Sequence, residues 1–298
     1  MTAVVASDGD NATPDRTVPV LPLAGTVLKR ALSFEGMRLR GLRSTWVALV
    51  ALALLSLLNG LLLPMEAADP RGEEQATVEV ARLVDALQFN AIAMQLPLSA
   101  WLLVFVLGTG PITTEFSHQT ARTAWLTVGN RGLSYAAKLL VGAAGTLISS
   151  AAGLALSAIV GSAALTVTGL AQPDWSTSCG PLLRYLIVMV FLSVLAGGLA
   201  GLVRSRLLAV LTLTLWPLLL ERLFGLALQR IPGVGEIQMW LPFAAARAAM
   251  NGAENPDGFT RALIGSDLAP LTGLGAFCAY ATVIACCGWL AYRRREAP

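Results

Sequence analysis

Polar and apolar positions divide this chain into a polar start, an amphipathic stretch and six apolar runs. Residues 1–25 carry Asp8, Asp10, Asp15, Pro14, Pro19 and Pro22 and have no apolar core beside a basic start. They predict a disordered cytoplasmic tail, not a signal peptide. In residues 26–43, Leu28, Ala31, Leu32, Leu39 and Leu42 share one helical face, while Lys29, Arg30, Arg38, Arg40 and Arg43 supply charge. That pattern predicts an amphipathic helix lying in the lipid headgroup layer, with a plain extension of the first span as the alternative. Glu35 is out of place, because it falls within the apolar face, and Phe34 and Met37 fall off it.

About 20 apolar residues cross roughly 30 Å of hydrocarbon as a helix. Runs of that kind lie near 44–63, 92–112, 136–160, 183–203, 207–226 and 270–292, the third reaching as far as Val167. They predict an all-α integral membrane protein whose six-span domain occupies 44–298. Three connections stand out. Residues 64–91 are acidic, residues 113–135 are the one sizeable connection on their side, and residues 227–269 are long, semi-apolar and interrupted by proline. The last of these predicts a re-entrant segment around Leu241 and Pro242, with an ordinary loop as the alternative.

Composition supports the membrane assignment. Hydrophobic residues make up 55% and charged residues 13% of the 298, with mean hydropathy +0.67. A soluble domain carries roughly 25% charged residues. The net charge of +3 is too small to suggest nucleic acid, so the distribution of charge matters more. With the N-terminus cytoplasmic, the inner segments hold 14 basic and 6 acidic residues, leaving 7 and 12 for the outside. Both termini are therefore expected in the cytoplasm.

Several chemistries lose their basis at this point. The sole histidine is His118, which excludes a metal site built on several imidazoles. The chain has no GxxxxGK[ST], HExxH or GxSxG pattern, so it is not expected to be an enzyme or to bind ATP or Mg itself. The four cysteines form no CxxC and read as small packing residues, a Cys179–Cys278 disulfide being the alternative. Gly197-x-x-x-Gly201 reads as a close-packing surface within the chain. Glu221 and Arg222 are the only ionisable pair well inside a span. Glu221 either snorkels to the outer interface or lines a cavity there as a candidate outer gate.

The segment after the second run, PITTEFSHQTARTAWLTVGNRGLSYAAKLLV, is the most informative. Pro111 ends or kinks that run, Thr113 and Thr114 can cap a new helix, and Glu115 suits its first turn. Phe116 reads as an exposed aromatic on a short docking helix. Gly129–Asn130 and Arg131–Gly132 turn the chain back.

At this point the sequence resembles the ABC-2-type permease family, the membrane subunits of ATP-binding-cassette exporters. The matching features are the basic interfacial stretch, six runs, Glu115–Phe116, Thr120 and Arg122 in the inner loop, then Arg131 and Lys138. Leu241–Pro242 before the last run and Tyr292–Arg293–Arg294–Arg295 at its end also match. Gln119 departs from the family pattern, in which glycine often precedes the threonine. The resemblance implies a type V exporter-like permease, multi-pass in a bacterial cell membrane, without a cofactor of its own. A separate ATPase subunit, holding ATP and Mg, would dock on a coupling helix bearing Glu115, Phe116, Thr120 and Arg122. A second copy or close relative would complete the pathway for a hydrophobic or amphipathic cargo such as a drug, antibiotic or lipid. A secondary carrier and a non-transporting scaffold or sensor are the competing classes.

Overall fold

The computed structural model describes residues 24–67, 103–117, 130–170, 172, 175–203, 205–230, 235–250 and 265–294. The predicted tail up to residue 23, most of the second run, the acidic 64–91 connection beyond Ala67, and Thr120 and Arg122 lie outside the described residues. What is described is helical, with no strand among the described residues. The elements are α1 (Ala24–Gly41), α2 (Arg43–Ala67), α3 (Gly110–Ser117), α4 (Arg131–Thr168), α5 (Trp175–Leu202), α6 (Arg206–Leu215), α7 (Glu221–Gln229), α8 (Pro242–Met250) and α9 (Pro270–Arg294). Two π-helical turns, Val104–Gly108 and Trp216–Leu220, and a 3-10 turn, Gly235–Trp240, complete the set.

Among the described residues, four helices are long and apolar enough to cross a membrane: Arg43–Leu62, Arg131–Thr168, Cys179–Leu202 and Pro270–Arg294. They coincide with the first, third, fourth and sixth predicted runs. The fifth run falls on 206–229, where α6, the π turn and α7 follow one another without a gap. Pro217 lies in that turn and has no N–H to offer the preceding α-helical ladder. Helix α5 forms the centre of the bundle: 67% of its crossing window is buried, against 22–33% in the other three.

Glycine and serine set how closely these helices approach. The α5 and α9 backbones meet at Gly198, where a Cβ would stand 2.8 Å from the Ala285 nitrogen. On the same face, added Cβ atoms at Gly197 and Gly201 would run into Leu139 and Tyr135 of α4. The spacing read as internal packing therefore is internal packing. Helices α2 and α4 are joined by a buried hydrogen bond from Ser157 Oγ to the Ser56 carbonyl, 2.8 Å. Between apolar helices in lipid, such contacts replace the hydrophobic drive available in water. Val47, Val50, Leu54, Leu58 and Leu61 of α2 form an exposed apolar stripe of the kind hydrocarbon solvates.

Capping explains the limits of α4. Asn130 is extended, and its side-chain oxygen accepts from the Gly132 and Leu133 N–H groups at 2.9 and 3.2 Å. At the other end Gly169 is left-handed at φ 73°, and Leu170 donates back to the Leu165 carbonyl at 3.0 Å. Where the sequence predicted threonines capping a helix after Pro111, α3 instead begins at Gly110. Thr113 and Thr114 lie inside it, and their hydroxyls donate to the Thr109 and Gly110 carbonyls four residues back. The four cysteines are free thiols.

Candidate functional site

Two groups of buried charge occupy the bundle, one at each end. Arg184 and Ala200 mark those ends on α5. They are about 16 residues apart, or roughly 24 Å at the α-helical rise.

The larger group gathers α1, α3, α4 and α9. Helix α1 turns Ala31 toward Ala137 of α4, with Val27, Leu28, Leu32 and Leu133 packed around them. Its apolar face is therefore covered by protein, while Lys29, Arg30 and Arg40 point outward. Glu35 shares the covered face and is buried. Its carboxylate pairs with Lys138 of α4, which is also buried. The Lys138 ammonium lies 2.6 Å from Glu115 of α3. Arg38, one turn beyond Glu35, is 2.9 Å from the same Glu115 oxygen and donates to Thr114 Oγ1 at 2.7 Å. The Tyr292 hydroxyl of α9 reaches the other Glu115 oxygen at 3.1 Å.

Two carboxylates and two cations thus cancel formally in a largely buried site, and one hydroxyl takes up a remaining lone pair. A buried network of this kind fixes geometry more than it adds stability, since desolvation offsets much of the attraction. Aromatic rings form its floor. Tyr292 meets Phe116 edge-on at 5.9 Å and Tyr135 at 5.2 Å, and the Tyr135 hydroxyl sits 3.3 Å from the Gly197 and Ala285 carbonyls. Arg293 stacks over Trp289 at 4.5 Å. Helices from four parts of the chain are tied here through Glu115.

This placement revises what the sequence suggested for the coupling residues. Glu115 is fully enclosed by its own chain, so its carboxylate offers no exposed surface to a docking partner. Phe116 is half-buried against Tyr292, not a free-standing aromatic. Sequence reading missed Arg38, Lys138 and Tyr292 as partners. The available signals were a glutamate on an apolar face and one of only two lysines entering an apolar helix.

Burial pushes the Glu35 carboxyl above its ordinary 4.5, Glu115 adding to this and Lys138 and Arg38 opposing it. A carboxyl raised on folding binds its proton more readily in the folded chain. Its contribution is greatest below pH 4.5 and declines as pH rises through the folded value. Glu35→Gln removes that decline, so this variant is expected to gain on the wild type as pH climbs. Thermal midpoints in detergent between about pH 4 and pH 8 check this. A difference that does not change with pH would contradict it.

The second group surrounds α8, all nine residues of which are buried. Glu221, at the first turn of α7, is buried, and its Oε1 accepts the Phe243 N–H at 2.6 Å. Arg247, one face along α8, lies 3.5 Å from Oε2. At the opposite end of α8, the Arg184 guanidinium of α5 donates to the Ala249 carbonyl at 3.0 Å. A small cavity beside this pair is lined by Glu221, Gln238, Leu241, Ala244, Arg247 and Gly265. Glu221 and Leu241 both line that cavity, and Glu221 is buried. Pro242 opens α8 as its first residue, where a missing N–H costs nothing. The side chain of Arg222 lies outside the described residues.

Among the described residues, no three His, Cys, Asp or Glu side chains stand together as a metal site would require. No known family model matches the chain, and no curated protein is significantly similar to it.

Proposed function

We propose that this chain is the membrane subunit of an ABC-2-type exporter, with six spans, both termini in the cytoplasm, and a separate ATPase subunit as its motor. In this reading the incompletely described 92–112 run and the 206–229 helical run supply the remaining two spans. Two copies, or this chain and a relative, would enclose the path of a hydrophobic or amphipathic cargo.

The observation that carries the reading is the Glu115 cluster. The sequence contains no ATP-binding loop, so in an active transporter force would have to enter from a partner. A partner pressing on α1 or α3 would act on helices that the cluster ties to α4 and α9. The joint lies at the end of the bundle bearing Arg293, Arg294 and Arg131, the side that the distribution of basic residues assigns to the cytoplasm.

The test is purification of the tagged chain from its native membrane in mild detergent. Vanadate-sensitive ATP hydrolysis is expected to co-purify and to rise when cargo-like amphiphiles are added. Transport in vesicles that persists without ATP and follows an ion gradient would replace this reading with that of a secondary carrier.

A further inference from the structure

We propose that α8 is clamped into the bundle by a two-ended latch, a negative charge at its N-terminus and a positive charge at its C-terminal turn. The two charges come from different helices. Glu221 of α7 accepts the Phe243 N–H in the first turn of α8, and Arg184 of α5 donates to the Ala249 carbonyl in its last turn. These are the groups a helix leaves without internal partners, and the signs match the helix dipole at both ends. Arg247 places a second cation against Glu221, so the latch joins an end cap to an ion pair.

The surroundings are built to receive α8 closely. A Cβ on Gly273 of α9 would lie 2.7 Å from the Ala245 carbonyl, so only glycine admits the α8 backbone there. Trp216, in the π turn just before Glu221, packs edge-on against Phe243 at 5.9 Å. One short helix is thus seated against α9 and gripped by α5 and by the 206–229 run. Any displacement of 206–229 relative to α5 pulls the two latches in different directions and frees α8. The proposal does not depend on what drives that displacement, and so stands apart from the transporter reading.

Thiol reactivity in open membrane vesicles tests it, with the full chain and its four native cysteines replaced by alanine. Ala246→Cys reports on α8, and Ala200→Cys, at the other end of α5, serves as the control; both positions are fully buried. With the latch intact, a charged, membrane-impermeant methanethiosulfonate should label both slowly. Glu221→Leu, and separately Arg184→Leu, should speed labelling at 246 by about tenfold or more and leave 200 unchanged. Should either leucine variant fail to accumulate, Glu221→Gln and Arg184→Gln are read in the same way. Unchanged labelling at 246 overturns the latch. Faster labelling at both reporters also overturns it, because the charges would then hold the whole bundle. A Glu221→Arg, Arg247→Glu swap keeps an ion pair but puts the wrong sign at the helix end. Continued fast labelling in the swap supports the end cap, and restored protection would reduce the latch to a simple pair.

Discussion

Exchanging Lys138 for methionine is expected to cost the folded chain about 3–5 kcal/mol, the usual penalty for stranding buried charge. Lys138 is buried and contacts both Glu35 and Glu115. Without it, two enclosed carboxylates face each other with only Arg38 nearby. The second half of the prediction is more diagnostic. Lys138→Met combined with Glu35→Gln restores formal neutrality with Arg38 and Glu115 and should recover on the order of half the loss. Thermal unfolding midpoints of the wild type, both single variants and the double variant in one detergent give the coupling directly. A double variant as unstable as the sum of the singles would mean that Glu35 and Lys138 act independently.

Reversing charge at Glu115 is the other change with a large consequence. Glu115→Lys takes the four-charge group from formal neutrality to a net +2 inside a site with no exposure at Glu115. The outcome expected is loss of folded protein from the membrane, not a clean functional defect. Phe116→Ala should behave differently. Its ring is half-buried and touches Tyr292 at the edge of the cluster, so the chain should reach the membrane at near-normal abundance. If the proposed ATPase partner presses on α3, cargo-stimulated hydrolysis in Phe116→Ala should fall while basal hydrolysis persists. Glu115→Lys at wild-type abundance would show that the carboxylate is not enclosed. Normal stimulation in Phe116→Ala would move the docking point elsewhere.

Hydropathy alone revealed much of the bundle, since every helix long enough to cross coincides with an apolar run. The third run, read as reaching as far as Val167, and α4 at 131–168 differ mainly at the start, where Asn130 caps the helix ahead of its apolar part. The interruption of the fifth run was less visible. Pro217 is apolar, so it raises no signal in a hydropathy window, yet the backbone changes pitch around it. The candidate site was half legible. Glu35 announced itself by violating the amphipathic pattern of its helix. Its partner Lys138 is 103 positions away, and nothing local pairs the two. Glu115 was singled out for a short helix after the second run, and it stands instead on α3, which begins at Gly110 inside that run. Its orientation was misjudged because exposure was inferred from polarity, while the groups that neutralise Glu115 come from α1, α4 and α9. Leu241–Pro242 drew attention to the segment before the last run, where Pro242 opens α8. Only the structure shows that Glu221 and Arg184 hold its two ends.

Helix α4 carries a geometric consequence of its own. Its 38 residues make a rod of about 57 Å, nearly twice the hydrocarbon thickness. One end is pinned by Lys138, and the far end runs on to Val167, which is 87% exposed. The contact with α2 at Gly60, Ser56 and Ser157 lies between the two and can serve as a fulcrum. Ser157 stands 19 residues from Lys138 and 10 from Val167, so the two arms measure about 28 and 15 Å at the helical rise. A rocking driven at the charge cluster would therefore reach the far end of α4 reversed in direction and at roughly half its size, so the helix passes the motion on while damping it.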